Sequence, residues 1–305
     1  MKIAVVGSYG VGMTMRLARV PGPGETISGG SYAAGPGGKG SNQAIAAARL
    51  GAQVSLLTAV GADFLGKEAR ALWLKEGVDA SQVITGAQPT MVGFILVDES
   101  GENSIAIASG ALDELTPAHV EGFRETIREA DLLVVSMEIP MPTVMAALQV
   151  AHEVGTRTLL NPAPASQLPD RAWEWIDILT PNQTEAPLLL GLDPASGLTP
   201  RELVEALHKR TAATIVLTLG AAGSLVSDGD TMTTVAATPA PRVVDTTGAG
   251  DSFTAALAVA LLAGLTLEAS VRYASAAGSH AVTIEGVIAA LPTNQDIQNL
   301  IGQTR

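Results

Sequence analysis

The chain contains no cysteine, which excludes disulfides and thiolate-held zinc or iron–sulfur centres. Aromatic residues make up only 3% of its 305 positions, so Ala, Val, Leu and Gly must carry the packing. That is the composition of layered α/β folds, in which helices lie close against a sheet. Basic residues are scarce as well: 18 Lys and Arg against 30 Asp and Glu leave a net charge of −12. Without any basic run, nucleic acid and anionic membrane surfaces are poor partners. An anionic ligand would have to be held by backbone N–H groups, a few cations and a metal. His119, His152, His208 and His280 are scattered without metal-ligand spacing. No apolar segment is long and charge-free enough to argue a membrane span. Met1–Gly7 enters a strand-like run without the pattern of a secretory signal. The expectation is a cytoplasmic protein.

What the chain has is apolar residues, 47% of the total, in short runs that alternate with helix-length segments. Strands are predicted at Ile3–Val6, Val54–Val60, Leu132–Ser136, Thr158–Leu160, Ile176–Thr180 and Thr214–Leu219. Helices are predicted near Ser41–Leu50, Lys67–Glu76, Pro117–Glu129, Pro142–Val154 and Pro200–Arg210. Strands apolar on both faces and separated by helices imply a parallel sheet covered on both sides. Ligands of such folds bind beyond the carboxyl ends of the strands. Glu138, Asn161, Asn182 and Thr218-Leu-Gly220 each follow a predicted strand and together mark one cleft edge.

Two regions break the alternation. Met13–Ala34 contains Pro21-Gly-Pro-Gly24 and a β-like run, and Thr90–Ser109 reads as a hairpin turning at Asp98–Asn103. The reading is one α/β domain over residues 1–305, with a small β lid formed by insertions at about 8–35 and 90–110. The lid strands are apolar on both alternating faces. One face can cover a ligand, and a second subunit is the simplest cover for the other, so a homodimer through the lid is predicted.

Asp245-Thr-Thr-Gly-Ala-Gly-Asp251 is followed at once by the apolar run Ser252–Leu262. Small residues ahead of a helix allow the N–H groups of Gly248, Ala249 and Gly250 to converge on an anion, where the helix dipole also favours negative charge. Asp251 at the edge of that hole is placed to take a proton from a hydroxyl. The plainer alternative is a helix-capping aspartate beside a glycine turn. Gly35-Pro-Gly-Gly-Lys-Gly40 fits the dinucleotide template, with Asp63 roughly where a ribose-binding acid would follow. It does not occupy the first strand–helix unit, and its preceding strand belongs to the lid. A Walker A loop fails because Gly40 follows Lys39. What remains is a tight turn with a cation at Lys39 and an amide at Asn42.

Taken in order, the motifs are Pro23-Gly-Glu-Thr26, Gly37-Gly-Lys-Gly-Ser-Asn-Gln43, Asn161-Pro-Ala-Pro-Ala165, Thr180-Pro-Asn-Gln-Thr-Glu185, Thr218-Leu-Gly220 and Asp245–Asp251. The chain so read resembles the ribokinase-like (phosphofructokinase-B type) carbohydrate kinases over nearly its full length. The resemblance implies a three-layer α/β/α fold with a central, mostly parallel sheet and a small β-sheet lid. It implies ATP-dependent phosphorylation of a hydroxymethyl group on a pentose or related sugar. Asp251 matches the catalytic base, and Gly248, Ala249 and Gly250 match the anion hole. Gly38, Lys39, Asn42 and Glu138 match sugar-binding positions. Asn182, Thr218, Gly220, Gly223 and Ser275 match nucleotide contacts. Glu185 matches the acid that organises Mg2+, usually through water. Asp245, Thr247, Ala281, Ile284, Gly286 and Ala290 match a K+ site.

Four positions depart from the family pattern. Gly10 and Gly12 stand where the family carries a sugar-binding Asn and Asp, Leu112 where Asn is common, and Ala290 where a hydroxyl residue is common. The loss of a charged acceptor predicts poor use of plain ribose unless Tyr9, Thr14 or a water substitutes, and extra space for another sugar. A nucleoside kinase of the same fold and a non-catalytic sugar- or nucleotide-binding regulator remain alternatives. Retention of Asp251 argues against the regulator.

Overall fold

The apolar runs become strands with a separate core on each face, in a computed structural model that describes residues 1–303. In chain order the strands are β1 (Lys2–Val6), β2 (Gly10–Arg16), β3 (Ser31–Gly37), β4 (Gln53–Leu57), β5 (Ala59–Gly61), β6 (Val78–Asp79), β7 (Ile84–Gly86), β8 (Val92–Val97), β9 (Asn103–Ala108), β10 (Leu132–Ser136), β11 (Thr158–Asn161), β12 (Ile178–Leu179), β13 (Thr214–Thr218), β14 (Ser224–Ser227) and β15 (Met232–Val235). The helices are α1 (Lys39–Arg49), α2 (Phe64–Glu76), α3 (Pro117–Gly122), α4 (Arg124–Glu129), α5 (Met141–Val154), α6 (Glu185–Leu189), α7 (Pro200–His208), α8 (Ala249–Leu262), α9 (Leu267–Ala281), α10 (Val287–Ala290) and α11 (Asn294–Gln303).

Among the described residues the main sheet runs β15-β14-β13-β12-β11-β10-β1-β4-β6. Its strands from β13 to β6 are parallel, and β14 and β15 close one edge antiparallel. Successive side chains of a strand point to opposite faces. Ile3, Val5, Leu132, Val134, Leu159, Ile178 and Val216 accordingly pack on one side with residues of α1, α2, α8 and α9. Ala4, Val6, Leu133, Val135, Leu160, Leu179 and Ile215 pack on the other with residues of α3, α4, α5 and α7. This is the expected three-layer arrangement.

A second, four-stranded sheet runs β3-β2-β8-β9, with β2 and β8 parallel and the outer pairs antiparallel. Its strands come from the two segments that broke the alternation. Several details differ from the sequence expectation. The run Val54–Val60 divides at Thr58: β4 stays in the main sheet, while β5 pairs with β7, Ile84 N donating to Thr58 O at 2.9 Å. The helix expected over Pro117–Glu129 breaks at Phe123, whose buried ring reaches the core just after Gly122, a poor helix former. Strands β14 and β15 escaped sequence reading because Ser and Thr dilute their apolar pattern.

The C-terminal segment is tied to the front of the fold by Arg49. Its guanidinium donates to Glu76 in a two-pronged pair (2.8 and 2.9 Å) and to the carbonyls of Ile288 (2.8 Å) and Leu291 (2.7 Å). The Arg49 bond holds the Glu76 carboxyl below its ordinary range. This contribution is therefore present at neutral pH and is lost as pH falls through that lowered value. Arg49→Ala strands a mostly buried carboxylate and two carbonyls. The expected loss is ~2–3 kcal/mol, toward the low side for a buried pair because some solvent reaches both groups. It should appear as a lower urea midpoint with an unchanged slope.

Candidate active site

The site is built where the start of α1 meets the end of β1. Ser41 N donates to Ser8 O at 2.8 Å. Gly40 lies so close to β1 that an added Cβ would stand 2.6 Å from Gly7 C. Gly38 takes φ 87° beside Tyr9, where its own Cβ would meet Tyr9 Cα at 2.5 Å. Both positions require glycine for close approach, and Gly38 for its left-handed backbone too. Behind the helix, Trp73 Nε1 donates to Ser41 Oγ at 2.8 Å, and Tyr9 packs edge-on against Trp73 with ring centroids 5.1 Å apart. Burial, with the nearby charges of Glu68 and Asp63, pushes the Tyr9 hydroxyl up to about 12. Tyr9 thus belongs to the support of α1 and is not free to replace a lost sugar ligand.

This anchoring aims Asn42 and Gln43 at Asp251 in the first turn of α8. Asn42 Nδ2 donates to Asp251 Oδ2 at 2.8 Å, and Gln43 Nε2 donates to Oδ1 at 3.0 Å. Gln43 Nε2 also reaches Asn161 Oδ1 (2.9 Å), and Asn161 Nδ2 donates to Thr180 O (3.3 Å). Asp251 is 7% exposed. Burial raises its carboxyl above the ordinary range, and the charge of Glu138 adds to this. Lys39 and the two amides oppose it. The amide oxygens of Asn42 and Gln43 are buried without a partner among the described residues. Gln43 was not singled out from the sequence. Its place beside Asn42 was visible, but its contact with a residue more than 200 positions away was not.

Around this carboxyl stand the other candidates. Glu138 accepts from Ser8 Oγ and from the amide of Lys39 (3.1 Å). The charge of Lys39 is felt by both Asp251 and Glu185. Burial raises the Glu185 carboxyl above its ordinary range. Asn182 N donates to Glu185 (2.8 Å), while Asn182 Oδ1 accepts from the amides of Thr184 and Glu185 (both 2.8 Å). Asn182 also bridges to Thr218, whose amide donates to Pro181 O at 2.9 Å. Gly223, at φ 94°, leaves only 2.1 Å between a hypothetical Cβ and Val235 O. Ser275 Oγ accepts from Thr238 N at 2.8 Å, so Gly223 and Ser275 hold the same passing segment. Gly220 begins the turn between β13 and β14 at φ 59°.

Gly248 caps α8 at φ 80°. The amide of Ala249 leans on Thr246 O at 3.3 Å, and Gly250 borders open space. Asp245 closes the approach to this turn. It accepts from Thr247 N (2.9 Å), Thr247 Oγ1 (2.6 Å) and Gly286 N (3.1 Å). Val244 N and Asp245 N both donate to Val282 O (2.7 and 3.3 Å). Asp245, Thr247, Ala281, Ile284 and Gly286 are thereby drawn together, with Ala290 buried in the neighbouring α10. No cluster of three or more His, Asp or Glu side chains suited to a metal occurs among the described residues.

Asp63 caps α2, accepting from Gly66 N at 2.8 Å and from the amide and hydroxyl of Thr90 (2.8 and 2.7 Å). Gly35 and Gly37 lie in β3 of the small sheet. The dinucleotide template is therefore a coincidence of spacing. The room expected at Gly10 and Gly12 exists only at Gly12. A Cβ on Gly10 would meet Met91 Cε at 2.3 Å, whereas one on Gly12 would meet nothing nearer than Ile95 Cδ1 at 3.6 Å.

Residues 2–294 match the pfkB family carbohydrate kinase model. The chain belongs to that family. A curated ribokinase from Haemophilus influenzae is 36% identical over 295 residues, covering 96% of both chains. A ribokinase from Bacillus subtilis is 35% identical, covering 98% of this chain and 99% of its own. The solved structure of Arabidopsis thaliana ribokinase complexed with ribose and ATP matches with a TM-score of 0.91 at 31% identity, covering 98% of each chain.

In this pfkB kinase the Gln43 amide has a testable task. A base must be ionised to act, and a donor to a carboxylate lowers its pKa. Gln43→Leu should raise the Asp251 pKa further. With Asp251 as the base, the acid limb of kcat/KM should then move to higher pH, while the alkaline side stays in place.

Proposed function

We propose that the chain transfers the γ-phosphoryl group of ATP to a hydroxymethyl oxygen of a pentose-sized sugar, with Asp251 as the base. The observation that carries this reading is the buried Asp251 carboxyl, braced by Asn42 and Gln43, at the glycine-rich start of α8. Phosphoryl transfer needs positioning and charge neutralisation more than covalent chemistry by the protein. Asp251 orients and deprotonates the hydroxyl. The amides of Gly248, Ala249 and Gly250 with the α8 dipole stabilise charge on the group in transit. Lys39 adds a cation between the acids. Gly38, Lys39, Asn42 and Glu138 hold the sugar, and the free Asn42 oxygen is an acceptor for a sugar hydroxyl. Asn182, Thr218, Gly220, Gly223 and Ser275 border the nucleotide.

Two cations belong to the proposal. The half-buried Glu185, whose carboxyl feels the charge of Asp251, suits Mg2+ held through water, and the ion would supply charge neutralisation of the phosphates. One carboxylate at Asp245 among the backbone positions of Thr247, Ala281, Ile284, Gly286 and Ala290 suits K+, whose hydration shell carbonyls can replace. It would stiffen the Asp245–Gly250 turn. The small sheet acts as the lid. Phe94, Met15 and Tyr32, all exposed, lie on the face away from Gly12, which supports a second copy of the chain as their cover. A monomeric mass at micromolar concentration would contradict this dimer. Those aromatics are thereby turned from the cleft, and Tyr9 is buried, so stacking of a base is disfavoured and a sugar is preferred to a nucleoside. Use of ATP suits the cytoplasm as the compartment. No helix among the described residues is long and apolar enough to cross a membrane.

Asp251→Asn keeps the shape of the site and removes the base. We expect kcat to fall by at least ~10³-fold, the scale of a lost general base together with its orientation of the hydroxyl. ATP affinity, read by calorimetry, should change less than about threefold. Near-normal turnover would refute the assignment.

A further inference from the structure

The cleft-facing side of the lid is unusual in what it offers a ligand. Residues at i and i+2 of a strand share a face, and paired neighbours face the same way. Gly12 pairs with Gly35 on one side and Gly93 on the other, and Gly93 pairs with Ile107. One step along, Thr14 pairs with Ile95, and Ile95 pairs with Ile105. Contacts confirm the shared face: a Cβ on Gly12 would lie 3.6 Å from Ile95 Cδ1, and one on Gly93 4.0 Å from Ile107 Cγ1. A Cβ on Gly35 would meet nothing within 4 Å.

This face looks into the cleft. At one end of the same side of β2, Gly10 abuts Gly38 at the start of α1, where a Cβ on Gly38 would lie 2.9 Å from Gly10 N. At the other end the charge of Arg16 is felt by Asp245. The floor between them is a row of three glycines walled by isoleucines. Strands β2 and β8 have a neighbour on both sides, so the backbone N–H and C=O groups at Gly12 and Gly93 are engaged in the sheet ladder. Thr14 and Arg16, the polar side chains of β2 on this face, are displaced toward the Asp245 end.

A sugar hydroxyl pressed against such a floor loses water and gains no partner, whereas a hydrogen or alkyl group in its place loses nothing. Resting on the kinase reading above, we propose that this lid selects a pentose with an apolar edge, one that carries hydrogen or an alkyl group instead of a ring hydroxyl where it meets Gly12. Gly12 is then the position that sets specificity. Its φ lies outside the left-handed region, so other residues are tolerated by the backbone.

The test is kcat/KM by ADP release for D-ribose, 2-deoxy-D-ribose and 3-deoxy-D-ribose, in the wild type, Gly12→Asp and Ile95→Asn. A hydrophobic site discriminates against an added hydroxyl by up to about a hundredfold. We expect one deoxy sugar to exceed ribose by about tenfold to a hundredfold in the wild type. Gly12→Asp should reverse the order, and Ile95→Asn should narrow it if Gly12→Asp fails to fold. Ribose used as well as both deoxy sugars by the wild type would overturn the inference and leave the kinase reading standing. So would a deoxy preference that neither variant shifts. ADP release no greater than that of Asp251→Asn, on every sugar and in every variant, would overturn both.

Discussion

The buried carboxyl of Asp251 is the constraint on which the rest of the site depends. A buried acid without donors would hold its proton and could not act as a base. Asn42 and Gln43 supply two donors from α1, the helix packed beside α8. That works only if α1 starts hard against β1. The glycines at 7, 38 and 40 permit the approach, and Trp73 fixes the helix from behind through Ser41. Packing deep in the molecule thus sets the ionisation of one group at its edge. Asn161, at the end of β11, extends the same network into the sheet through Gln43 and Thr180.

The two halves of the proposed site differ in kind. The proposed phosphate side is made of backbone: a glycine turn, a helix start and a loop closed by Asp245 onto Gly286. Backbone groups recognise charge and care little for the rest of the substrate. The proposed sugar side is made of side chains on α1, after β10 and in the small sheet, and there Gly10 and Gly12 carry no polar group. The two losses have different consequences. Met91 occupies the room at Gly10, and Gly12 opens onto the cleft. The proposed change of acceptor rests on that asymmetry.

The small sheet carries apolar side chains on both faces. Phe94 and Tyr32 on one side and Ile105 and Ile107 on the other are all more than half exposed in the single chain. The cleft accounts for the isoleucines, and a second copy of the chain accounts for the aromatics in the proposed assembly.

The sequence by itself determined the layering and the glycine-rich turn that opens α8. Continuous apolar runs such as Ile3–Val6 have no polar face to expose and must be covered on both sides. Gly248-Ala-Gly-Asp251 is local, so its turn and helix start could be read from neighbouring residues. Elements whose pattern is weak were not legible, as with β14 and β15, and neither was the break of a helix at the buried Phe123. Only the tertiary structure decided which distant groups share a site. It made Asp63 a helix cap rather than a ribose ligand, Tyr9 a buried prop rather than a sugar contact, and Gln43 a brace for Asp251. It also separated Gly10 from Gly12, identical residues whose difference lies in whether Met91, 81 positions beyond Gly10, folds back over them. The physical reason is the same in each case. A side chain's role follows from what packs against it, and packing partners far apart in the chain leave no local pattern.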